Sequence, residues 1–252
     1  MFQYPSQPRP FFWGHRGLPA CAVENTLAAF AASQRHGMPG IECDVQWSRD
    51  GVPFIFHDDT LERLGGSTHV AQALSWKDLA ALRLVDPERP HLGVGRIPTL
   101  AELVEWLPQG LALNCEIKDY PQLSHAHLAS FLQLIAEYHL EDRVLVSSFN
   151  HAILARVRSM ASHIALATLW DGPIDYPTVL KSQQLTPILH VPLAWAERPT
   201  LEALHSLGFQ LGVWGARAAA DVRRLVGLGV DAVFIDDPNW LPTPFPPQGG
   251  GR

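Results

Sequence analysis

The sequence is poor in charge, poor in cysteine and without long apolar runs, and each shortage removes a class of protein. Charged residues fill 17% of the 252 positions, against roughly 25% in an average globular chain. Hydrophobic residues reach 47%, so the chain has none of the low hydrophobicity and high net charge that keep a polypeptide disordered. Basic residues are in the minority, 19 Lys and Arg against 25 Asp and Glu, for a formal charge of −6. A duplex-binding protein shows a basic patch or a high pI, and neither is present, so nucleic acid is not an expected partner. There are three cysteines, Cys21, Cys43 and Cys115, and no two share the short spacing of a zinc site or redox motif. Scattered thiols of this kind form no disulfide framework and point to a reducing compartment. No stretch of about 18 apolar residues occurs, which excludes a predicted transmembrane helix. The opening MFQYPSQPRPFF puts Pro, Gln and Ser where a signal peptide needs an apolar stretch. A cytoplasmic location without stable membrane insertion is the expectation.

What is present is an alternation of short apolar runs with helical periodicity, the pattern of βα units around a parallel sheet. Eight runs read as strands: Phe11–His15, Gly40–Trp47, Leu111–Lys118, Arg143–Phe149, Ile164–Trp170, Thr186–Val191, Gln210–Trp214 and Val230–Ile235. Helices are predicted between them at Glu24–Arg35, Thr99–Trp106, His125–Tyr138, Asn150–Met160, Tyr176–Gln184, Thr200–Ser206 and Ala218–Leu228. Eight such repeats in about 250 residues is the arithmetic of an α/β TIM (β/α)8 barrel. Residues 1–252 therefore read as one domain. An open doubly wound sheet competes, but it calls for a Gly-rich phosphate loop after the first strand. Gly14-His15-Arg16-Gly17 is neither GxGxxG nor a Walker motif. Asp50-Gly51 between two apolar runs signals a hairpin, making Val52–His57 a return strand rather than one of the eight. The stretch 58–96 then reads as a small insertion carrying one helical piece, Ser75–Leu84. The first ten residues and the tail Pro242–Arg252 are rich in Pro and Gly and read as loose ends.

Active sites of such barrels lie at the C-terminal ends of the strands. Side chains alternate along a strand, so Glu42 and Asp44 share one face of the second strand and Glu116 and Lys118 one face of the third. His15-Arg16 ends the first strand, and the return strand delivers His57. Cys43 and Cys115 should point outward as inert thiols. Three carboxylates meeting in an interior repel unless a cation compensates. Pairing with Arg16 and Lys118 is one solution, and a hard divalent cation on all-oxygen ligands is the other. With a metal present, Arg16 and Lys118 would be free for an anionic substrate. A single strand-end histidine is ordinarily structural. Two beside such a cluster can supply an acid and a base near neutral pH, which reads as phosphoryl chemistry on a diester. His36, His125, His127, His139 and His205 fall on helical stretches and are set aside.

The pieces HRG…ENT, IECDV, DG-VPFIFHDD, RIPTL and EIK occur in this order, followed by VLVSSF and GVDAVFIDDP. Together they resemble the glycerophosphodiester phosphodiesterases, in the single-domain bacterial cytoplasmic form. The resemblance implies a TIM barrel and a metal-dependent hydrolase of lipid and glycerol metabolism, acting on small-molecule glycerophosphodiesters. It implies one divalent cation, Mg²⁺, Ca²⁺ or Mn²⁺, on Glu42, Asp44 and Glu116. His15 and His57 match the catalytic histidines, Arg16 and Lys118 the phosphate-binding positions, and Glu24 and Asn25 supporting residues. Trp214, at the end of the seventh strand, is assigned to cover the glycerol or alcohol, whereas packing accounts equally well for Trp170 and Trp195. The family pattern WTxN is here Trp214-Gly215-Ala216-Arg217, with Arg217 in the place of Asn, which bears on substrate preference at that rim. The competing readings are a lysophospholipase D with a lipid-sized substrate, a non-catalytic phosphate-ligand binding protein, and a Schiff-base aldolase through Lys118.

Overall fold

The computed structural model describes residues 2–5 and 10–242. Nine strands form one sheet: β1 (Phe11–Gly14), β2 (Gly40–Trp47), β3 (Pro53–Ile55), β4 (Ala112–Ile117), β5 (Val144–Ser148), β6 (Ala165–Leu169), β7 (Ile188–Pro192), β8 (Gln210–Trp214) and β9 (Ala232–Ile235). All but β3 run parallel, and β1 pairs with both β9 and β2. That last pairing closes an eight-stranded barrel and excludes the open sheet. β3 is the predicted return strand, antiparallel to β2 with Val45 opposite Ile55. At the turn Gly51 takes φ +83°, a left-handed conformation open to glycine. The Asp50 carboxylate accepts from Ser48 Oγ at 2.7 Å and from the Trp76 N–H at 2.8 Å, tying the hairpin to the insertion.

Helices α1 (Leu27–Arg35), α4 (Leu100–Trp106), α5 (His125–Glu137), α6 (His151–Met160), α7 (Tyr176–Ser182), α8 (Arg198–Ser206) and α9 (Ala219–Leu228) lie between barrel strands. Their starts follow local chemistry. Thr99 and Glu102 form a reciprocal capping box on α4, and Thr26 and Asn150 cap α1 and α6. The insertion contributes α2 (Glu62–Gly65) and α3 (Trp76–Ala80), the latter capped by Ser75 and shorter than the predicted Ser75–Leu84. Leu61, Leu64, Leu79 and Leu84 form a small core with Phe54 and Phe56, which fixes the insertion beside β3. Cys43 and Cys115 face each other in register, their sulfurs 3.9 Å apart, buried in the layer between sheet and helices.

The first residues depart from the prediction of a loose end. Phe2 and Tyr4 are buried against Phe11 and Trp13 inside the barrel. The Pro- and Gln-rich composition hides two aromatics at i and i+2, which an extended segment can insert side by side. Residues 1, 6–9 and 243–252 lie outside the described residues, and with them most of the predicted loose tail. The interior is fitted around these rings: a Cβ on Gly40 would stand 2.5 Å from the Trp13 indole. The Tyr4 hydroxyl accepts from Trp13 Nε1 at 3.0 Å and bonds His190 Nε2 at 2.7 Å.

Burial holds the His190 imidazole neutral, lowering its pKa from 6.5 to about 3. The unfolded chain protonates this ring as pH falls below its ordinary value and the folded chain does not. Stability from this group is thus complete above about pH 6.5 and drains away as pH falls towards 3. Denaturant titrations at about pH 7 and about pH 5 should show the wild type losing about 2 kcal/mol more than His190→Gln. Parallel losses in the two proteins would remove His190 as the acid-sensitive element.

Candidate active site

The site follows from strand register. β2 and β4 pair in parallel with Glu42 opposite Asn114 and Asp44 opposite Glu116, all turned inward, while Cys43 and Cys115 turn out. Carboxylate oxygens of Glu42, Asp44 and Glu116 lie within 4.8 Å of one another. A cleft of about 350 Å³ opens over them, lined by His15, Arg16, Glu42, His57, Glu116 and Trp214, among others. Asp44 forms the cluster's buried base, at 1% exposure.

Each carboxylate has different company. Burial opposes charge on Asp44, but Arg16 and Lys118 beside it hold its pKa well below the usual range. Asn25 Nδ2 donates to it at 2.7 Å; Arg16 Nε and Lys118 Nζ stand 3.5 Å away. Glu116 accepts from Lys118 Nζ at 2.7 Å, yet burial and the Asp44 charge still raise its pKa. Among the described residues, Glu42 accepts only the Arg16 backbone N–H, at 2.8 Å. Burial, then Asp44 and Glu116, push its pKa well up. Fully ionised, the three carboxylates would exceed the charge of Arg16 and Lys118 by one. A compact, buried, all-oxygen set with an uncompensated carboxylate suits a hard divalent cation. Both pairing solutions raised by the sequence coexist: Arg16 and Lys118 are engaged by carboxylates, and the set still fits a metal. Lys118 is held charged, which removes the amine nucleophile that an aldolase needs.

Both strand-end histidines are oriented by carboxylates. His15 Nδ1 lies 2.7 Å from Asp236 Oδ1, and His57 Nδ1 lies 2.6 Å from Asp58 Oδ1. The Gln46 amide donates to the carbonyls of Phe56 (2.7 Å) and Asp58 (3.1 Å), fixing the chain that presents His57. Arg16 and Asn25 adopt φ of 51° and 56°, unusual for non-glycine residues and a form of strain that clusters at functional sites. Gly17 lets this loop lie on α1, since a Cβ there would meet the Ala29 backbone at 2.6 Å. Glu24 accepts from Arg16 Nη1 at 2.8 Å and also from Arg63.

Trp214 forms one wall, edge-on to Phe149 with ring centres 6.1 Å apart. Trp170 and Trp195 do not line this cleft; both pack in the barrel's outer layer, bonded to Thr168 and Gly172. Arg217 lines a neighbouring depression that shares only Trp214 and Gly215 with the cleft, so the replacement of Asn by Arg217 falls beyond the cleft wall. Asp236, Asp58, Arg63 and Phe149 were not predicted as site residues. Asp236 and Asp58 sit at strand ends inside motifs already noticed, and the strand-end rule could have found them. Phe149 likewise ends the predicted strand Arg143–Phe149 and the piece VLVSSF, whereas Arg63 carries no such signal.

A family model for the glycerophosphoryl diester phosphodiesterase family matches residues 15–240. A glycerophosphodiester phosphodiesterase of Caldanaerobacter subterraneus subsp. tengcongensis is 31% identical, covering 90% of this chain and 94% of the relative. One from Bacillus altitudinis is 28% identical with the same coverage. Among solved structures, an Oleispira antarctica phosphodiesterase in complex with the product sn-glycerol-3-phosphate superposes with a TM-score of 0.82 at 26% identity, over 91% of this chain and 94% of that one.

Repulsion within the cluster has a measurable consequence. In chelator-treated protein, Glu42→Gln keeps an acceptor for the Arg16 N–H and removes the carboxyl group whose ionisation burial and its neighbours most oppose. It should raise Tm by a few degrees, on the order of 1 kcal/mol. An unchanged or lower Tm would show that Glu42 is not under strain.

Proposed function

This chain belongs to the glycerophosphoryl diester phosphodiesterase family and is an enzyme of that activity, and we propose that it hydrolyses glycerophosphodiesters to an alcohol and sn-glycerol 3-phosphate by metal-dependent histidine acid–base catalysis. The observation that carries this reading is one cleft faced by both carboxylate-paired imidazoles and by Glu42 and Glu116 of the acidic cluster. Glu42, Asp44 and Glu116 hold one divalent cation, Mg²⁺ or Ca²⁺ on the donor chemistry, with Mn²⁺ as a substitute. When bound, such an ion supplies positive charge against the developing charge of the phosphoryl oxygens.

The rest is the work of this chain's own residues. Arg16 offers a planar fork and Lys118 a point charge to the phosphate. Nδ1 of each histidine is engaged by Asp236 or Asp58, which leaves Nε2 to exchange protons. One imidazole takes the proton of the attacking oxygen, either water or the substrate's own neighbouring hydroxyl. The other gives a proton to the departing alcohol oxygen as the new P–O bond replaces the old one. The second route passes through a cyclic phosphate that water then opens. Trp214 covers the glycerol or alcohol. In this reading residues 1–252 form one domain acting in the cytoplasm. Three free cysteines support that, and among the described residues no helix is long and apolar enough to cross a membrane.

A second substrate reading, lysolipids, draws on the apolar wall of the cleft, where Leu169, Trp214 and Phe234 are joined by Phe149 at 42% exposure. Turnover of glycerophosphocholine and glycerophosphoethanolamine should exceed that of lysophosphatidylcholine; the opposite order would favour the lipid.

His15→Ala and His57→Ala should each lower kcat by about a thousandfold or more, with the circular dichroism spectrum unchanged. Near-full turnover in either variant removes that histidine from the mechanism. Chelation should abolish turnover and Mg²⁺ or Ca²⁺ restore it. Activity that survives exhaustive chelation would overturn the metal assignment.

A further inference from the structure

His57 and Arg16 arrive at the cleft on different segments, His57 after the return strand β3 and Arg16 in the loop after β1. Each leans on its own carboxylate, Asp58 for His57 and Glu24 for Arg16. One side chain touches both carboxylates. Arg63, on α2 of the insertion, donates from Nε to Asp58 Oδ2 at 2.7 Å and from Nη2 to Asp58 Oδ1 at 3.1 Å. It also donates from Nη1 to Glu24 Oε2 at 2.9 Å and from Nη2 to Glu24 Oε1 at 2.7 Å. Four of its five N–H groups are thereby used on two fork-to-fork contacts, a geometry that only a guanidinium supplies. Arg63 is not among the residues lining the cleft.

We propose that Arg63 is a positioning residue that locks the His57 arm and the Arg16 arm into one frame, so that the insertion is a working part of the active site. This rests on the acid–base role of His57 and the phosphate-binding role of Arg16. Without Arg63, Asp58 keeps only His57 among the partners described for its side chain, and the buried Glu24 keeps only Arg16. Asp58 can then swing with the imidazole. Glu24 draws harder on Arg16, away from Asp44 and the phosphate site. A displacement on the order of 1 Å in such groups costs about a hundredfold in rate. Lysine is no substitute, because a single ammonium cannot make two planar forks at once.

The test compares wild type, Arg63→Ala, Arg63→Lys, Asp58→Asn and the Asp58→Asn/Arg63→Ala double variant, all metal-loaded, with glycerophosphocholine. Arg63→Ala should lower kcat by about 10- to 100-fold, more than it raises KM, and Arg63→Lys should recover only a minor part. The double variant should be less impaired than the product of its single variants, since Arg63 acts partly through Asp58. A second readout needs no turnover: the His57 Nδ1 proton resonance, assigned by its absence in His57→Gln. It should shift or broaden in Arg63→Ala. If that variant does not fold, Arg63→Gln carries the same measurement. Wild-type kcat in Arg63→Ala, fully multiplicative effects, or an unmoved His57 resonance would each overturn the proposal. A wild type without diesterase activity would instead sink the reading of the site, and the resonance would still decide the role of Arg63.

Discussion

Three carboxylates crowded within 4.8 Å of each other at the floor of a cleft are the constraint around which this barrel is organised. Such a cluster is costly for a fold, and its neighbours are placed to contain the cost. Asn25, Lys118, Arg16 and a backbone N–H are each directed at one of the acidic oxygens. The compensation is unequal. Asp44 is fully supported, while Glu42 is left against its neighbours. An arrangement that is unfavourable on its own and oxygen-rich is the form a protein gives to a site meant to take up positive charge.

The scaffold explains how the imbalance is tolerated. Two adjacent parallel strands, locked in register and backed by an apolar layer containing Cys43 and Cys115, cannot rotate their side chains away from one another. The opposite end of the barrel is filled by aromatic rings from β1 and from the N-terminal segment. Rigidity at that end and polarity at the other are two parts of one design. The interior is packed where nothing needs to enter, and charged where a ligand can reach. Local strain at Arg16 and Asn25 lies on the charged side, where the chain bends to aim a backbone N–H and a side-chain amide at the acids.

Most of the scaffold was legible because periodicity reports burial directly. β2 and β8 run over the residues predicted, Gly40–Trp47 and Gln210–Trp214. The misses have physical causes. α1 begins at Leu27 rather than Glu24, because Glu24 and Asn25 are diverted to Arg16 and Asp44 and Asn25 takes a left-handed backbone. β7 begins at Ile188 rather than Thr186, since the Thr186 hydroxyl bonds the Leu166 carbonyl instead of extending the ladder. Phe2 and Tyr4 read as loose because the turn-forming residues around them dominate the local signal and the Tyr4 partner His190 lies 186 residues away.

The alternation of strands and helices can be read along the chain, and with it that Glu42, Asp44 and Glu116 share inward faces. Both follow from side-chain period and hydrophobicity, which are local properties. The same reading places His15, Arg16 and His57 at strand ends. Which charge faces which emerges in three dimensions: Asp236, 221 residues from His15, orients its ring, and Arg63 reaches back 39 residues to Glu24. Hydrogen bonds and ion pairs act over a few ångströms in space and leave no periodic trace along the chain: closure of the barrel brings Asp236 to His15, and packing of the insertion beside β3 brings Arg63 to Glu24.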